Sequence, residues 1–374
     1  MTLVTSLGMG LLLLVTDVRM RVLARTPPGP RETWPKVSIV VAARNEERNI
    51  ESGVRSLLGV DYPDLEITVV NDRSTDGTAA ILARVATDDP RLNVVMIDAL
   101  PAGWLGKNHA LQRGADGSRG EWLLFTDADV VFEQTAVRRG VAYALEHGVD
   151  HLAATPVVES PSLWMRAFIP VFSMCFLIYL RAWAIRNPRS AAHVGIGAFN
   201  LVRKSAYDAV GGHSRLALRP DDDLKLGKVL KLAGFSQDLV VGRGLLEVEW
   251  YRSFGELVRG LEKNTFAGVD YRPWMTIGGV VSMLANFVLP WSGMVLAPWP
   301  ANALFAAAAA IYVIFAGRAC LQNRQPVWLG LLFPIGVLAF AYIQVRTMIL
   351  NLKQGGISWR DTFYPLEELK RNRV

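Results

Sequence analysis

The sequence predicts an α/β domain with a mainly parallel sheet, joined to membrane-embedded helices, and three observations carry that prediction. First, between Val37 and Thr126 short β-branched or apolar runs alternate with stretches of helical spacing, the pattern of strand–helix–strand units with right-handed crossovers. Second, the runs end in polar groups, Arg44-Asn45-Glu46-Glu47, Asn71-Asp72-Arg73-Ser74 and Asp127-Ala128-Asp129. Open α/β sheets bind ligands there, beyond the carboxyl ends of their strands. Third, the chain has 374 residues, 51% of them hydrophobic, and the apolar residues gather near the N-terminus, around 163–184 and after 276. A polar catalytic-type domain attached to membrane segments fits that asymmetry.

The formal charge of +6 admits nucleic acid, anionic lipid or an anionic substrate as a partner. No basic low-complexity run or nucleic-acid motif accompanies it, which excludes nucleic acid and favours a membrane surface and a phosphorylated ligand. Cys175 and Cys320 are the only cysteines, too few for a disulfide framework or a Cys/His metal site.

Along the chain, residues 1–18 read as an N-terminal membrane anchor. Residues 1–16 carry no charge, and Arg19, Arg21 and Arg25 follow, so the basic side faces the cytoplasm. Such a stretch is short for about 30 Å of hydrocarbon, and an interfacial helix is the alternative. Pro27, Pro28, Gly29, Pro30 and Pro35 form a stiff linker. The expected elements are then a strand at Val37–Ala42, a helix at Ile50–Leu58 capped by Asn45 or Asn49, and a strand at Ile67–Val70. A helix at 79–86, a strand at Val94–Ile97, a helix at about 107–116 and a strand at 122–126 complete the series.

Asp127 and Asp129 end the last of these strands and are expected on the same side of the extended chain. Two hard oxygen ligands suit a divalent cation, Mg or Mn, that also takes oxygens from a diphosphate; an ordinary acidic turn is the alternative. Gly106 permits close backbone approach, and Lys107, near a helix N-terminus, is placed for a diphosphate or is simply a surface lysine. Asp76, with Gly77, reads as turn chemistry or a helix cap, and His109 as structural.

The segments Val37–Glu47, Val69–Thr78 and Thr126–Asp129, in this order and at these distances, resemble the family 2 glycosyltransferases, which use a GT-A nucleotide-diphospho-sugar fold. The resemblance covers about residues 36–270. It implies that Asp72 is the nucleotide-binding carboxylate, that Glu46 accepts from a ribose hydroxyl, that Lys107 is the basic residue at the nucleotide, and that Asp129, helped by Asp127, holds the metal. Gly195-Ile196-Gly197 resembles the acceptor-side segment, whose glycines allow close packing. Within Pro220-Asp221-Asp222-Asp223, the family's acidic pair falls on Asp222 and Asp223. Asp223 is then the catalytic base, and Asp221 matters least, as a helix-start residue.

The Gln/Arg-x-x-Arg-Trp motif of processive and ceramide-type members is missing at 259–266. Lys263 is its candidate cation, and no tryptophan in that stretch replaces the stacking one. Residues 163–184 hold only 14 uncharged residues between Arg166 and Arg181 and include Pro170, which suits a membrane-interfacial element better than a span; a buried core helix is the alternative. Trp250–Phe266 reads as amphipathic and membrane-facing. Residues 276–346 read as transmembrane helices, in apolar stretches at about 277–297, 301–317 and 327–345. Residues 347–374 form an amphipathic basic tail.

Three spans would export that tail, whereas Arg346, Lys353, Arg360, Lys370, Arg371 and Arg373 favour the cytoplasm. The stretch Gly355–Leu366 resembles a tail of hopene-associated and carotenoid-type glycosyltransferases, which favours the cytoplasmic placement.

The expectation is therefore a multi-pass protein of the cell (inner) membrane with a cytoplasmic catalytic domain: an inverting, metal-dependent and non-processive glycosyltransferase. It would move a sugar from a nucleotide-diphospho-sugar to a lipid or isoprenoid acceptor. A polyprenyl-phosphate sugar transferase and a polysaccharide synthase are alternatives in the same class, and a catalytically silent nucleotide-binding scaffold is one in another. A transporter is disfavoured because the apolar stretches carry no embedded charged cluster.

Overall fold

The computed structural model describes residues 2–29, 32–359 and 362–374. Pro30 of the linker and Arg360 and Asp361 of the tail lie outside the described residues. The chain folds as two compact units, one of Met20–Val157, Arg181–Glu249 and Asn372–Val374, the other of Met1–Arg19, Val158–Leu180 and Trp250–Arg371.

The strands up to residue 249 are β1 (Arg21–Val22), β2 (Val37–Ala43), β3 (Leu65–Asp72), β4 (Leu92–Ile97), β5 (Trp122–Asp127), β6 (Val130–Phe132), β7 (His151–Thr155), β8 (Val157–Glu159), β9 (Asn200–Arg203), β10 (Gln237–Val241) and β11 (Leu246–Glu249). Eight of them form one sheet in the order β1-β10-β7-β9-β5-β2-β3-β4. Its pairs are parallel except around β9, which runs antiparallel to β5 and to β7. β6 and β11 form a separate antiparallel pair.

Both faces of the sheet are covered, which explains why β2 reads as a continuous apolar run rather than an alternating one. Ile39 and Val41 pack with Ile50, Val54 and Leu57 of the helix Ile50–Leu58. Val40, between them, packs into a second cluster with Leu111, Leu123, Phe125 and Leu226. Each such fully buried aliphatic side chain contributes roughly 1.5–3 kcal/mol.

The helix at 50–58 has the expected bounds, and the others extend by one or two residues at an end, as in Thr78–Asp88 and Gly106–Asp116. The expected cap is different. Asn49 occupies the N-cap position without a side-chain bond. Asn45, at φ 55°, instead accepts from the Thr75 N–H at 2.8 Å and donates its own N–H to Ser74 Oγ at 3.0 Å, tying together the loops that follow β2 and β3.

The other unit is mainly helical: Thr2–Arg19, Leu163–Leu180, Phe254–Leu261, Thr265–Gly268, Pro273–Phe287, Leu289–Leu296, Ala301–Gln322 and Phe333–Gln354. A hairpin of β12 (Gly356–Trp359) and β13 (Thr362–Pro365) and a helix at Leu366–Arg371 follow. Among the described residues, four segments are long and apolar enough to cross a membrane: Leu163–Leu180, Pro273–Leu296, Ala301–Gln322 and Val327–Gln354. The N-terminal helix is fastened within this unit, its buried Asp17 accepting from Arg318 Nε at 2.5 Å and from Gln322 Nε2 at 2.6 Å. The hairpin's Trp359 ring receives the Lys263 ammonium 3.9 Å from its centroid. Lys263 thus meets a tryptophan from the tail rather than from its own segment.

Candidate active site

The register of the central strands builds the site. Ala43 of β2 pairs with Asn71 of β3, and Ala42 pairs with Asp127 of β5. The loop carrying Glu46, the end of β3 at Asp72 and the end of β5 at Asp127 therefore open at the same edge of the sheet.

Asp72 is 2% exposed. Arg73 grips its carboxylate at both oxygens, at 2.7 and 3.0 Å, and Arg44 Nη1 stands 3.7 Å away. Gly106 is required beside it, because a Cβ there would lie 2.1 Å from Asp72 Oδ2; this is the close approach expected of that glycine. Asp76 does act in a turn, accepting from the N–H of Thr78 at 3.0 Å and of Glu47 at 3.2 Å.

Asp127 is the last residue of β5, but Ala128 and Asp129 form a tight turn into β6. The chain thus turns there, the alternative that the sequence offered, rather than continuing as an extended strand, and β6 pairs with β11. The carboxylates remain electrostatically close. Burial first, and then the charges of Asp127 and Glu46, push the Asp129 carboxyl up to about 7.

Lys107, about a quarter exposed, bridges the two sides of the site. Its ammonium lies 2.8 Å from Asp127 Oδ1 and 3.6 Å from Asp222 Oδ1. Burial opposes the charge, but Asp127, Asp222 and Asp223 outweigh it and hold this amine well above its ordinary value.

Asp222 and Asp223 open the helix Asp222–Leu232. Asp222 is buried, and His213 Nε2 lies 3.9 Å from it. Burial first, and Lys107 second, push His213 down to about 3, so that the ring stays neutral. Asp223 accepts the Leu224 N–H at 2.8 Å; burial, followed by the charge of Asp222, pushes it up to about 7.

Asp221 stands at the helix start, as expected, but has a second role. It occupies the N-cap position without a capping bond and instead holds the buried Arg219 through two contacts of 2.9 Å, with Lys225 Nζ 3.6 Å away. The guanidinium is 2% exposed, and a buried cation requires a partner.

The Gly195–Gly197 segment threads between the two sides. The Gly197 carbonyl accepts the Asp127 N–H at 2.9 Å. Added Cβ atoms would stand 2.3 Å from Asp127 Oδ2 at Gly197, 1.8 Å from the Asp223 carbonyl oxygen at Gly195, and 1.6 Å from the Val194 carbonyl oxygen at Gly227. Arg44, Arg73, His213 and Asn108 belong to this neighbourhood although sequence reasoning assigned them no role. The signal available for the first two was their adjacency to the strand-end acidic residues.

Among the described residues, no three His, Cys, Asp and Glu side chains gather to enclose a metal ion. Asp127 and Asp129, close enough to interact electrostatically, supply the carboxylate oxygens available at this strand end. That fits an oxygen-seeking divalent cation completed by phosphate oxygens and water.

The Glycosyl transferase family 2 model matches residues 38–211. A beta-monoglucosyldiacylglycerol synthase of Synechocystis is 32% identical over 197 residues, covering 52% of this chain and 40% of that protein. A 4,4'-diaponeurosporenoate glycosyltransferase of Staphylococcus haemolyticus is 22% identical over 270 residues, 71% of this chain and 70% of that one. The chain thus spans about two fifths of the length of the synthase. Among solved structures, the mannosyltransferase PcManGT from Pyrobaculum calidifontis, in complex with GDP-Man and Mn2+, superposes with a TM-score of 0.52 at 18% identity, covering 88% of this chain and 96% of that one. By this match over residues 38–211 and this shared architecture, the chain is similar to the family 2 glycosyltransferases and has a GT-A-like fold.

Proposed function

We propose that the chain is an inverting, metal-dependent glycosyltransferase that moves one sugar from a nucleotide-diphospho-sugar to a hydroxyl of a lipid or isoprenoid acceptor. The observation that carries this reading is the Lys107 bridge. It joins the strand-end carboxylate Asp127 to the helix-start pair Asp222 and Asp223, so that donor-side and acceptor-side groups form one cluster. Asp72, with Arg73 and Arg44, and Glu46 line the nucleotide side. Lys107 supplies a permanent positive charge where a diphosphate departs. Asp127 and Asp129 would hold a Mg or Mn ion, which when bound neutralises the leaving diphosphate.

Asp223 takes the acceptor hydroxyl proton as that oxygen bonds to the anomeric carbon and the bond to the diphosphate breaks. A lipid acceptor is favoured by the apolar helical unit and by the two lipid-type names among the relatives. The test is a transfer screen with the purified full chain, Mg or Mn, a panel of nucleotide sugars and membrane lipid extracts. A labelled glycolipid supports the reading, and absence of turnover with every donor defeats it.

The reading includes a cytoplasmic domain, which Arg19, Arg21 and Arg25 favour. Leu163–Leu180 is then an in-plane or re-entrant element rather than a single crossing. The strands before and after it, β7 and β9, are hydrogen-bonded neighbours, and a single crossing would separate them by a bilayer. The same parity applies further on. Asn372 hydrogen-bonds to Leu218, so the chain between Glu249 and Asn372 crosses an even number of times and the basic tail returns to the cytoplasm. Reporter fusions at residue 150 and after Val374 should both read cytoplasmic, and opposite readings would defeat this arrangement.

A further inference from the structure

We infer that Asn372 is a positioning residue for the acceptor side of the site, an inference that rests on the glycosyl-transfer reading. Residues Arg215–Arg219 lead from a 3-10 helix, Gly212–Leu216, into the Asp221-Asp222-Asp223 helix start, and two side-chain amides supply main-chain partners to this stretch. Asn108, next to Lys107, donates through Nδ2 to the carbonyls of Leu216 at 2.5 Å and Arg219 at 2.9 Å. The Leu105 N–H donates to the Ala217 carbonyl at 2.7 Å. Asn372 supplies a further pair: its Oδ1 accepts the Leu218 N–H at 2.9 Å, and its Nδ2 donates to the Arg215 carbonyl at 3.0 Å. Backbone polar groups in such a loop require partners, and an amide offers a donor and an acceptor together.

Two further contacts secure the bracket. Lys228, on the helix that begins at Asp222, donates through Nζ to the Val374 carbonyl at 2.6 Å, and the Val374 side chain packs on the cluster containing Leu216, Leu226 and Val229. Asn372–Val374 therefore hold both the loop before the acidic pair and the helix after it. A carboxylate misplaced by about 1 Å can cost on the order of 10²-fold in rate, so this bracket bears on proton removal from the acceptor. Donor affinity, which belongs to Asp72, Lys107 and the Asp127 turn, should not depend on it.

The test compares Asn372→Ala and Asn372→Asp with the wild-type full chain in detergent or native membranes. Two readouts are taken: amide hydrogen exchange over 215–223, and kcat alongside donor KM. The expected result for Asn372→Ala is Leu218 exchange about tenfold faster, kcat about tenfold lower and donor KM within about twofold of wild type. Asn372→Asp, which keeps the acceptor for Leu218 but loses the donor to Arg215, should fall between. Unchanged exchange, changed exchange with unchanged kcat, or a parallel loss of kcat and donor affinity with faster exchange across the whole domain would each overturn the inference. If the wild type turns over no donor, the glycosyl-transfer reading fails and the catalytic role of Asn372 fails with it. Exchange at Leu218 then reports separately on the bracket.

Discussion

Lys107 and Asp127 form an ion pair 2.8 Å long between the start of one helix and the end of the strand that follows it. A parallel sheet makes such a pair possible: each helix begins at the carboxyl edge, and the next strand finishes there. Lys107→Gln keeps length and polarity but removes the charge that Asp127, Asp222 and Asp223 share. We expect kcat to fall about 10²-fold or more, as for other losses of a fixed charge at a departing anion. Steady-state kinetics with saturating donor checks this, and a wild-type rate would refute the bridge as catalytic.

Asp129→Ala should abolish transfer and weaken nucleotide-diphosphate affinity only when a divalent cation is present. Chelation of the wild type should mimic the variant. Calorimetric titration of the diphosphate with and without Mn decides the point, and equal metal dependence in both proteins would remove Asp129 from the metal site.

The three adjacent aspartates should separate by kind of damage. Asp223→Asn should cost about 10²–10⁴ in rate with donor binding retained, and Asp222→Asn less, acting through Lys107 and its neighbour. Asp221→Asn should instead lose stability, about 3 kcal/mol, because it removes the carboxylate charge that the buried Arg219 contacts twice at 2.9 Å. Turnover, donor binding and thermal midpoints of the three variants distinguish these outcomes. If Asp222→Asn is the inactive one, the base lies one residue earlier.

Gly195→Ala should fold poorly or lose activity, because its Cβ would meet the Asp223 carbonyl oxygen at 1.8 Å, and backbone cannot yield as a flexible side chain can. Gly278→Ala, where a Cβ meets nothing within 4 Å, is the control. Expression level and kcat of both variants test the contrast.

His151 provides an acid-stability prediction away from the reacting groups. Fully buried, with Nε2 2.5 Å from Asn200 Oδ1, it is pushed down to about 4 from an ordinary 6.5 chiefly by burial. The unfolded chain therefore binds the proton first as pH falls, and stability is lost between about pH 6.5 and 4, by roughly 3 kcal/mol at most. His151→Gln should flatten that part of the pH–midpoint curve. An unchanged slope would assign the acid loss to other groups.

The sequence by itself determined the strand–helix alternation, the polar strand ends at Glu46, Asp72 and Asp127, the crowding at Gly106 and Gly195–Gly197, and the division between polar and apolar segments. These are local signals: an apolar run of strand length, a glycine beside a carboxylate, a charge deficit over twenty residues. Only the tertiary structure decided that Asp221 serves Arg219, that Lys107 joins Asp127 to Asp222, and that Asn372 and Trp359 of the tail meet Leu218 and Lys263. The Arg219–Asp221 pair depends on the burial of its loop, and each of the others on a partner remote in sequence. Charge and hydropathy along the chain name candidates for an ion pair, but the register of the strands and the packing of the helices choose which candidates meet.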